Sequence, residues 1–218
     1  MQYDNGKQQT RILEQNVLNM VYGNYKEESD GKFEIPKMLP VHIEDIESTP
    51  LQGFNYALKE KNPENIGVHF FLHDYQFERV WNYPDRYLSI LSRFKFVLSP
   101  DFSPYANMPR ALKIFNVYRN RWCGRFWQDN GITVIPTVTW SDADSLQYCL
   151  DGIPKHSTIA ISTMGEGRWA KWQSLKNNWD FVIDTLQPEC ILLYGKDLSK
   201  ELKGNIVHKR LISTKVAV

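Results

Sequence analysis

The feature that most constrains this chain is an alternation, from Ile66 to Gly195, of short apolar runs with segments of helical character. The runs are GVHFFLHDY, KFVLSPDF, ITVIPTVTW, STIAISTMG and CILLYG, and each closes on a polar residue or small polar cluster. Strands that alternate with helices build a parallel sheet with helices on its faces. The expected fold is therefore α/β, a mainly parallel sheet of about five strands with flanking helices and an irregular N-terminal extension. A partial (β/α) barrel is the alternative, because strand order is not written in the pattern. In open parallel sheets ligands bind beyond the strand C-termini. Asp74, Asp101, Thr139, Trp140, Ser162, Thr163 and Tyr194 would gather along that edge.

Residues 1–62 read as an N-terminal segment and 63–218 as the α/β core. Ile12, Leu13, Val17, Leu18 and Val21 recur near a helical period, so Thr10 to Tyr22 is expected to form a short amphipathic helix, packed on the main domain or on a partner. Gly23 to Pro50 reads as extended or looping, and Leu51 to Lys61 as helical. Strands are expected at Val68 to Leu72, Phe96 to Ser99, Ile132 to Val138, Thr158 to Ile161 and over ILLYG, with a final strand in the tail. Helices follow Pro84, with a stripe of Tyr87, Leu88, Leu91 and Phe94, and occupy Ala143 to Leu150 and the stretch up to about Leu186. A long helix spans Met108 to Asn130 and stops at Gly131. On it Ala111, Leu112, Phe115, Tyr118, Trp122, Cys123 and Phe126 share a face with Arg119 in its middle, while Arg110, Lys113, Arg121 and Arg125 lie opposite.

Composition excludes several classes. Lys+Arg 26 against Asp+Glu 25 gives net +1, so no global field draws the protein to nucleic acid or anionic lipid. No run approaches the roughly 18 apolar residues of a membrane span, and MQYDNGKQQTR lacks a signal-peptide core. Cys123, Cys149 and Cys190 are odd in number and far apart, which argues against a disulfide framework or a structural zinc. A cytoplasmic protein without cofactor or membrane contact is expected.

The candidate chemistry is carried by few residues. Asp74, Glu78 and Asp101 stand at strand ends, where two carboxylates can work as acid and base. They can equally cap loops and helices, Asp101 with Ser103 and Asp74 on loop amides. Arg119 needs a carboxylate partner, Asp101 or Asp74, and serves either as a structural tie or as an anion clamp. Ser162 and Thr163 lead through Gly165 and Gly167 to Arg168 and Lys171, where a helix N-terminus could hold phosphate. The motif is neither a P-loop nor a dinucleotide fingerprint. The basic side of the long helix, with Trp127, could follow a nucleic-acid backbone or simply face water. His69 and His73 on one strand stand about 13 Å apart, too far to share a metal.

The segments VHFFLHDYQFERVW, LSPDFSPYANMPRAL, NVYRNRWCGRFWQ, VIPTVTWSD, DGIP and ISTMG, from Val68 to Gly165, resemble the bacterial and phage proteins known as domain of unknown function 4417. SPDFS, followed by the Arg-Trp segment and IPTVTW, is the specific combination, and the resemblance covers nearly half the chain. The family carries an acidic pair where this chain has His73-Asp74, so His73 departs from it. The resemblance implies an origin in a phage or mobile element and implies no activity. Two functions follow from the residues. One is an enzyme acting on a nucleotide, nucleoside or nucleic-acid end, with Asp74, Asp101 and Glu78 as acid or base, Arg119 and Arg168 on an anion, Trp140 stacking on a base, and Ser162, Thr163 and Tyr194 beside it. The other is a non-catalytic protein that binds a host protein or DNA. A deep pocket at the strand C-termini favours the first, and a filled edge with exposed apolar side chains favours the second.

Overall fold

The computed structural model of the protein describes Asn19, residues 22–164 and residues 168–210, without the side chains of 168–172 and 174. The helix expected over Thr10 to Tyr22 therefore lies outside the described residues except for Asn19 and Tyr22. Strands β1 (Ser29–Asp30) and β2 (Ile35–Pro36) pair antiparallel. Among the described residues seven further strands run parallel. β3 (Leu51–Gly53), β4 (Gly67–His69), β5 (Phe96–Leu98) and β6 (Val134–Ile135) form one sheet, and β7 (Thr158–Ser162), β8 (Cys190–Tyr194) and β9 (Ile206–Lys209) form another. A parallel bridge from Thr137 to Ala160 carries the first sheet into the second, so the strands follow one another in chain order. The fold is α/β, as the alternation predicts, with more strands than five.

Two local readings are corrected. The segment read as a helix from Leu51 opens instead as β3, paired in register with β4, and turns helical only as a 3₁₀ stretch over Phe54–Lys59. The helix read over Ala143 to Leu150 is a 3₁₀ turn at Ser145–Gln147. Asp142 Oδ1 accepts the Ser145 N–H at 2.9 Å, and Ser145 Oγ accepts the N–H of Ser141 at 3.0 Å. Such local side-chain bonds give the backbone partners that a helix would otherwise supply.

The helices are α1 (Arg79–Asn82), α2 (Leu88–Leu91), α3 (Arg110–Asp129) and α4 (Arg168–Leu186). Side chains alternate across each strand, and the two sets have different destinations. Leu51, Phe96, Leu98, Ile135, Ala160, Leu192, Tyr194 and Val207 pack into one interior drawn from both sheets. Val68, Val97 and Val134 meet Trp81, Leu91 and Trp127 outside, while Ile159, Ile161, Ile191 and Leu193 meet Leu175, Trp179, Val182 and Leu186 of α4. An interior shared by β3 and β9 requires the sheets to curve around it. Gly67 is small because a Cβ there would stand 2.3 Å from the Phe96 ring. Val41, Ile43 and Ile46 pack against this interior, and Thr158 N–H donates to Val41 O at 2.8 Å at the N-terminal end of the strands. Among the described residues no ladder joins β9 to β3, so the barrel is open there. Lys209 Nζ spans the opening, donating to the carbonyls of Glu47 at 2.6 Å and Thr49 at 2.8 Å.

α3 reverses the expected orientation. Its polar side meets the sheet. Arg121, 1% exposed, donates to the carbonyls of Thr137 (3.0 Å), Cys149 (2.7 Å) and Asp151 (3.2 Å) and to Asn120 Oδ1 (2.7 Å). Ser99 Oγ donates to Asn120 Oδ1 at 2.7 Å, and Gly124 comes so close that a Cβ would lie 3.1 Å from the Ser99 Cβ. The physical reason is that β5 and β6 end under the helix with carbonyls that need donors, and one guanidinium carries five. The apolar side of α3 looks away from the sheet. Trp122 and Phe126 are covered there by Tyr22, Tyr25 and Trp81, whereas Leu112 and Phe115 are exposed. The proposed basic stripe is thereby overturned. Lys113 is buried against Asp142 at 2.6 Å, Arg125 holds Asp129 at 2.8 Å and Glu28 at 2.5 Å, and Arg110 lies 3.4 Å from Asp144.

Candidate functional site

The loops that leave β4 and β5 at the C-terminal edge of the sheet hold most of the candidate residues. Asp74 opens a 3₁₀ turn at Asp74–Gln76, and its carboxylate accepts the Ser103 N–H at 3.1 Å and the Ser103 hydroxyl at 3.0 Å. It therefore binds the next loop. Arg119 is buried, as its place on α3 predicts, but its carboxylate is Glu78 rather than Asp101 or Asp74. Its second terminal nitrogen donates to Asn116 Oδ1 at 2.7 Å, and Asn116 Nδ2 donates to Ser103 O at 2.8 Å. The guanidinium also lies 3.9 Å from the centre of the Phe102 ring, a desolvated cation–π contact. Asp101 is buried, and its charge acts on Arg121 instead. Burial lowers the Arg121 pKa to about 10, against the raising pull of Cys149, Asp151 and Asp101, so the group stays cationic at neutral pH.

These bonds pin the two loops to each other and to α3. What the pinned loops present to solvent is aromatic. His73 stacks on Tyr75 at 5.9 Å with an interplanar angle of 12°, Tyr75 is 78% exposed, and Tyr105 on the neighbouring loop is also exposed. His69, by contrast, is buried inside the strands. The two histidines of H-x-x-x-H thus belong to different environments, and among the described residues no three His, Cys, Asp or Glu side chains converge on a metal position.

The centre of the edge is filled. The His69 ring lies 4.4 Å from Tyr194 across the interior, Phe71 stacks on Tyr194 at 5.2 Å, and Met164 packs against the same cluster. Phe71 N–H donates to His69 Nδ1 at 3.2 Å, which places the imidazole hydrogen on Nε2. Burial drives the His69 pKa down to about 4 and raises that of Tyr194, so both rings are neutral.

On the far side, where β6 and β7 end, Val138, Thr139, Trp140, Ile161, Ser162 and Leu175 line a cleft of ≈ 10 Å³, room for about one water. Ser162 Oγ accepts the Met164 N–H at 3.0 Å. Thr163 Oγ1 accepts the Lys196 N–H at 2.6 Å and donates to Tyr194 O at 3.2 Å. The Gly165–Gly167 turn and the side chains of Arg168 and Lys171 lie outside the described residues.

The structure brings Asp74, Glu78 and Arg119 together and sets Trp140 and Ser162 together elsewhere. Sequence reasoning missed Ser103, Asn116, Asn120 and Arg121 as binding groups. A signal for the α3 members existed: Lys113, Asn116, Val117, Asn120, Arg121 and Gly124 recur at helical spacing as a second stripe, small and polar, which suits a face packed on strand-end carbonyls.

A sequentially ordered parallel α/β protein with a filled C-terminal edge and aromatic loops around it is the class defined by these observations. The chain belongs to the family described as Domain of unknown function (DUF4417), whose model matches residues 27–209. It is similar to the Gene 1 protein of Mycobacterium phage L5, 41% identical over 172 residues that cover 78% of this chain and 74% of that one. It is also similar to the Gene 1 protein of Mycobacterium phage D29, 45% identical over 130 residues, 59% of this chain and 48% of that one. No solved structure matches the chain. No helix among the described residues is long and apolar enough to cross a membrane.

Proposed function

We propose that the protein acts by binding another protein through the aromatic loops at the C-terminal edge of its sheet. The observation that supports this reading is the contrast at that edge: the interior is filled by His69, Phe71, Met164 and Tyr194, while Tyr75 stands 78% exposed on a loop fixed by Asp74 and Ser103. Rigidly held tyrosines supply contact area at low entropic cost and dominate many interfaces. Relatives in phages make a protein of the infected cell the expected partner class. DNA is the weaker candidate, since Lys113, Arg121 and Arg125 are spent on internal partners and cannot neutralise phosphates. The test is photo-crosslinking in infected-cell extract from a reactive side chain placed at Tyr75 or at Tyr105. The same protein should be captured from both positions and not from Phe181 on α4, and Tyr75→Ala should abolish capture with the melting temperature unchanged. Equal capture from Phe181 would overturn the proposal.

A second reading, binding of a nucleotide or nucleic-acid end, draws support from the cleft beside Trp140 and Ser162, which sits where β7 leads toward the first turn of α4. A helix start favours anions and an indole can stack on a base. A thermal-shift screen against nucleotides and sugar phosphates separates the two readings, because a ligand at a hundred times its dissociation constant stabilises by about 2.7 kcal/mol.

A further inference from the structure

We propose that residues 10–18 of this same chain lie along the outer apolar face of α3, over Leu112 and Phe115. The inference goes beyond the binding function and rests on other residues. Because α3 turns Asn116, Asn120, Arg121 and Gly124 to the sheet, its apolar stripe has no sheet to pack on. The C-terminal half of that stripe is covered by the chain's own N-terminal arm: Tyr22 packs on Phe126 at 5.8 Å, Tyr25 on Trp122 at 6.2 Å, and Trp122 Nε1 donates to Gly23 O at 2.9 Å. The N-terminal half is bare, with Leu112 51% and Phe115 42% exposed.

The arm is aimed at the bare half. Asn19, itself buried, donates through Nδ2 to Trp81 O at 2.7 Å, and the Trp81 ring packs edge-on against Phe115 at 5.8 Å and against Trp122 at 5.5 Å. Going backward along the chain, Tyr22 marks the Phe126 level of α3 and Asn19 marks the Trp81 junction, so the preceding residues start beside Phe115. Those residues carry Ile12, Leu13, Val17 and Leu18 at near-helical spacing. The lengths agree: the stripe from Trp122 back to Leu112 is about 15 Å, and a helix over residues 10–18 is about 14 Å. An apolar stripe of matching length, tethered at the edge of an unpartnered apolar face, reaches it at high effective concentration without a second molecule.

Hydroxyl-radical footprinting of the full chain tests this, read at Leu112 and Phe115 and compared with the double variant Leu13→Asp, Val17→Asp. Both sites should be protected in the parent and oxidised several-fold faster in the variant, with Phe181 on α4 unchanged as control. A second measurement pairs Val17→Cys with Leu112→Cys under mild oxidation. The native thiols of Cys123 and Cys149 are buried and that of Cys190 is partly so. A bridge within one chain is expected. Equal oxidation in parent and variant, or a bridge that forms only between two chains, would overturn the assignment, the latter in favour of a second copy. Adding Tyr75→Ala should leave both readouts untouched, which keeps this result separate from that of the partner-binding test.

Discussion

Arg119 and Arg121, two residues apart on α3, carry the same charge into different surroundings, and their substitutions should differ accordingly. Arg119 is paired with Glu78, whose side chain is 39% exposed. Arg119→Met leaves a carboxylate that water can reach, so we expect a loss of only about 1 kcal/mol in urea unfolding. Arg121 is wholly buried and satisfies three carbonyls at once. Arg121→Met strands all three, and the loss should reach about 3–5 kcal/mol. Equal losses would mean that the carbonyl network carries little. His69 gives a pH signature at the same scale. Its pKa falls from 6.5 to about 4 because burial penalises the cation. The folded value lies below the unfolded one, so its contribution is complete above about pH 6.5 and is lost as pH falls toward 4, a change of about 3 kcal/mol. Urea midpoints of parent and His69→Gln should diverge across that window, and a constant difference would show that His69 does not titrate as a buried group.

At the scale of elements, α3 shows what the sequence holds and what it withholds. Its limits and its two stripes are legible from period alone, from the Pro109 start to the Gly131 stop. Which stripe meets the sheet is not, because a helical period says that two faces differ and not what lies opposite each. Here the decision belongs to the ends of β5 and β6, whose carbonyls call for donors, and to the room that Gly124 leaves. Gly124→Ala would set its Cβ 2.4 Å from Met38 Cε and 3.1 Å from Ser99 Cβ. The methionine end can swing away, but the Ser99 backbone is fixed in the sheet, so a loss of about 1–2 kcal/mol is expected on thermal unfolding. The pinned loops follow the same logic. Asp74 and Glu78 are recognisable as strand-end carboxylates in the sequence, whereas their partners Ser103 and Arg119 stand 29 and 41 positions away and meet them only in the fold. Asp74→Ala removes two bonds from Ser103 and should cost about 1–2 kcal/mol. It should also weaken capture of the partner at Tyr75, since the loop that carries the ring is no longer fixed.

For the whole molecule the decisive feature is the opening between β9 and β3. The alternation of strands and helices makes a parallel fold legible, but closure depends on register accumulated over seven strands, which no local pattern records. The strands share one interior, yet the last and first are joined by no ladder among the described residues, and Lys209 bridges them by side chain. Burial lowers its pKa, while Glu47 and the Cys190 thiol pull the other way. Two bonds from an ammonium to backbone carbonyls are each of the charge-assisted kind, so Lys209→Met, which keeps the length and can pack, should cost about 2–3 kcal/mol. The loss should also be local. If the ammonium holds the ring of strands together, amide exchange in Lys209→Met should accelerate in β9 and in residues 47–53 and stay unchanged in β5, β6 and the core of α3. Uniform acceleration across all strands would show instead that Lys209 contributes to global stability without acting as the seam, and that the interior packing of Leu51, Leu192 and Val207 closes the molecule unaided.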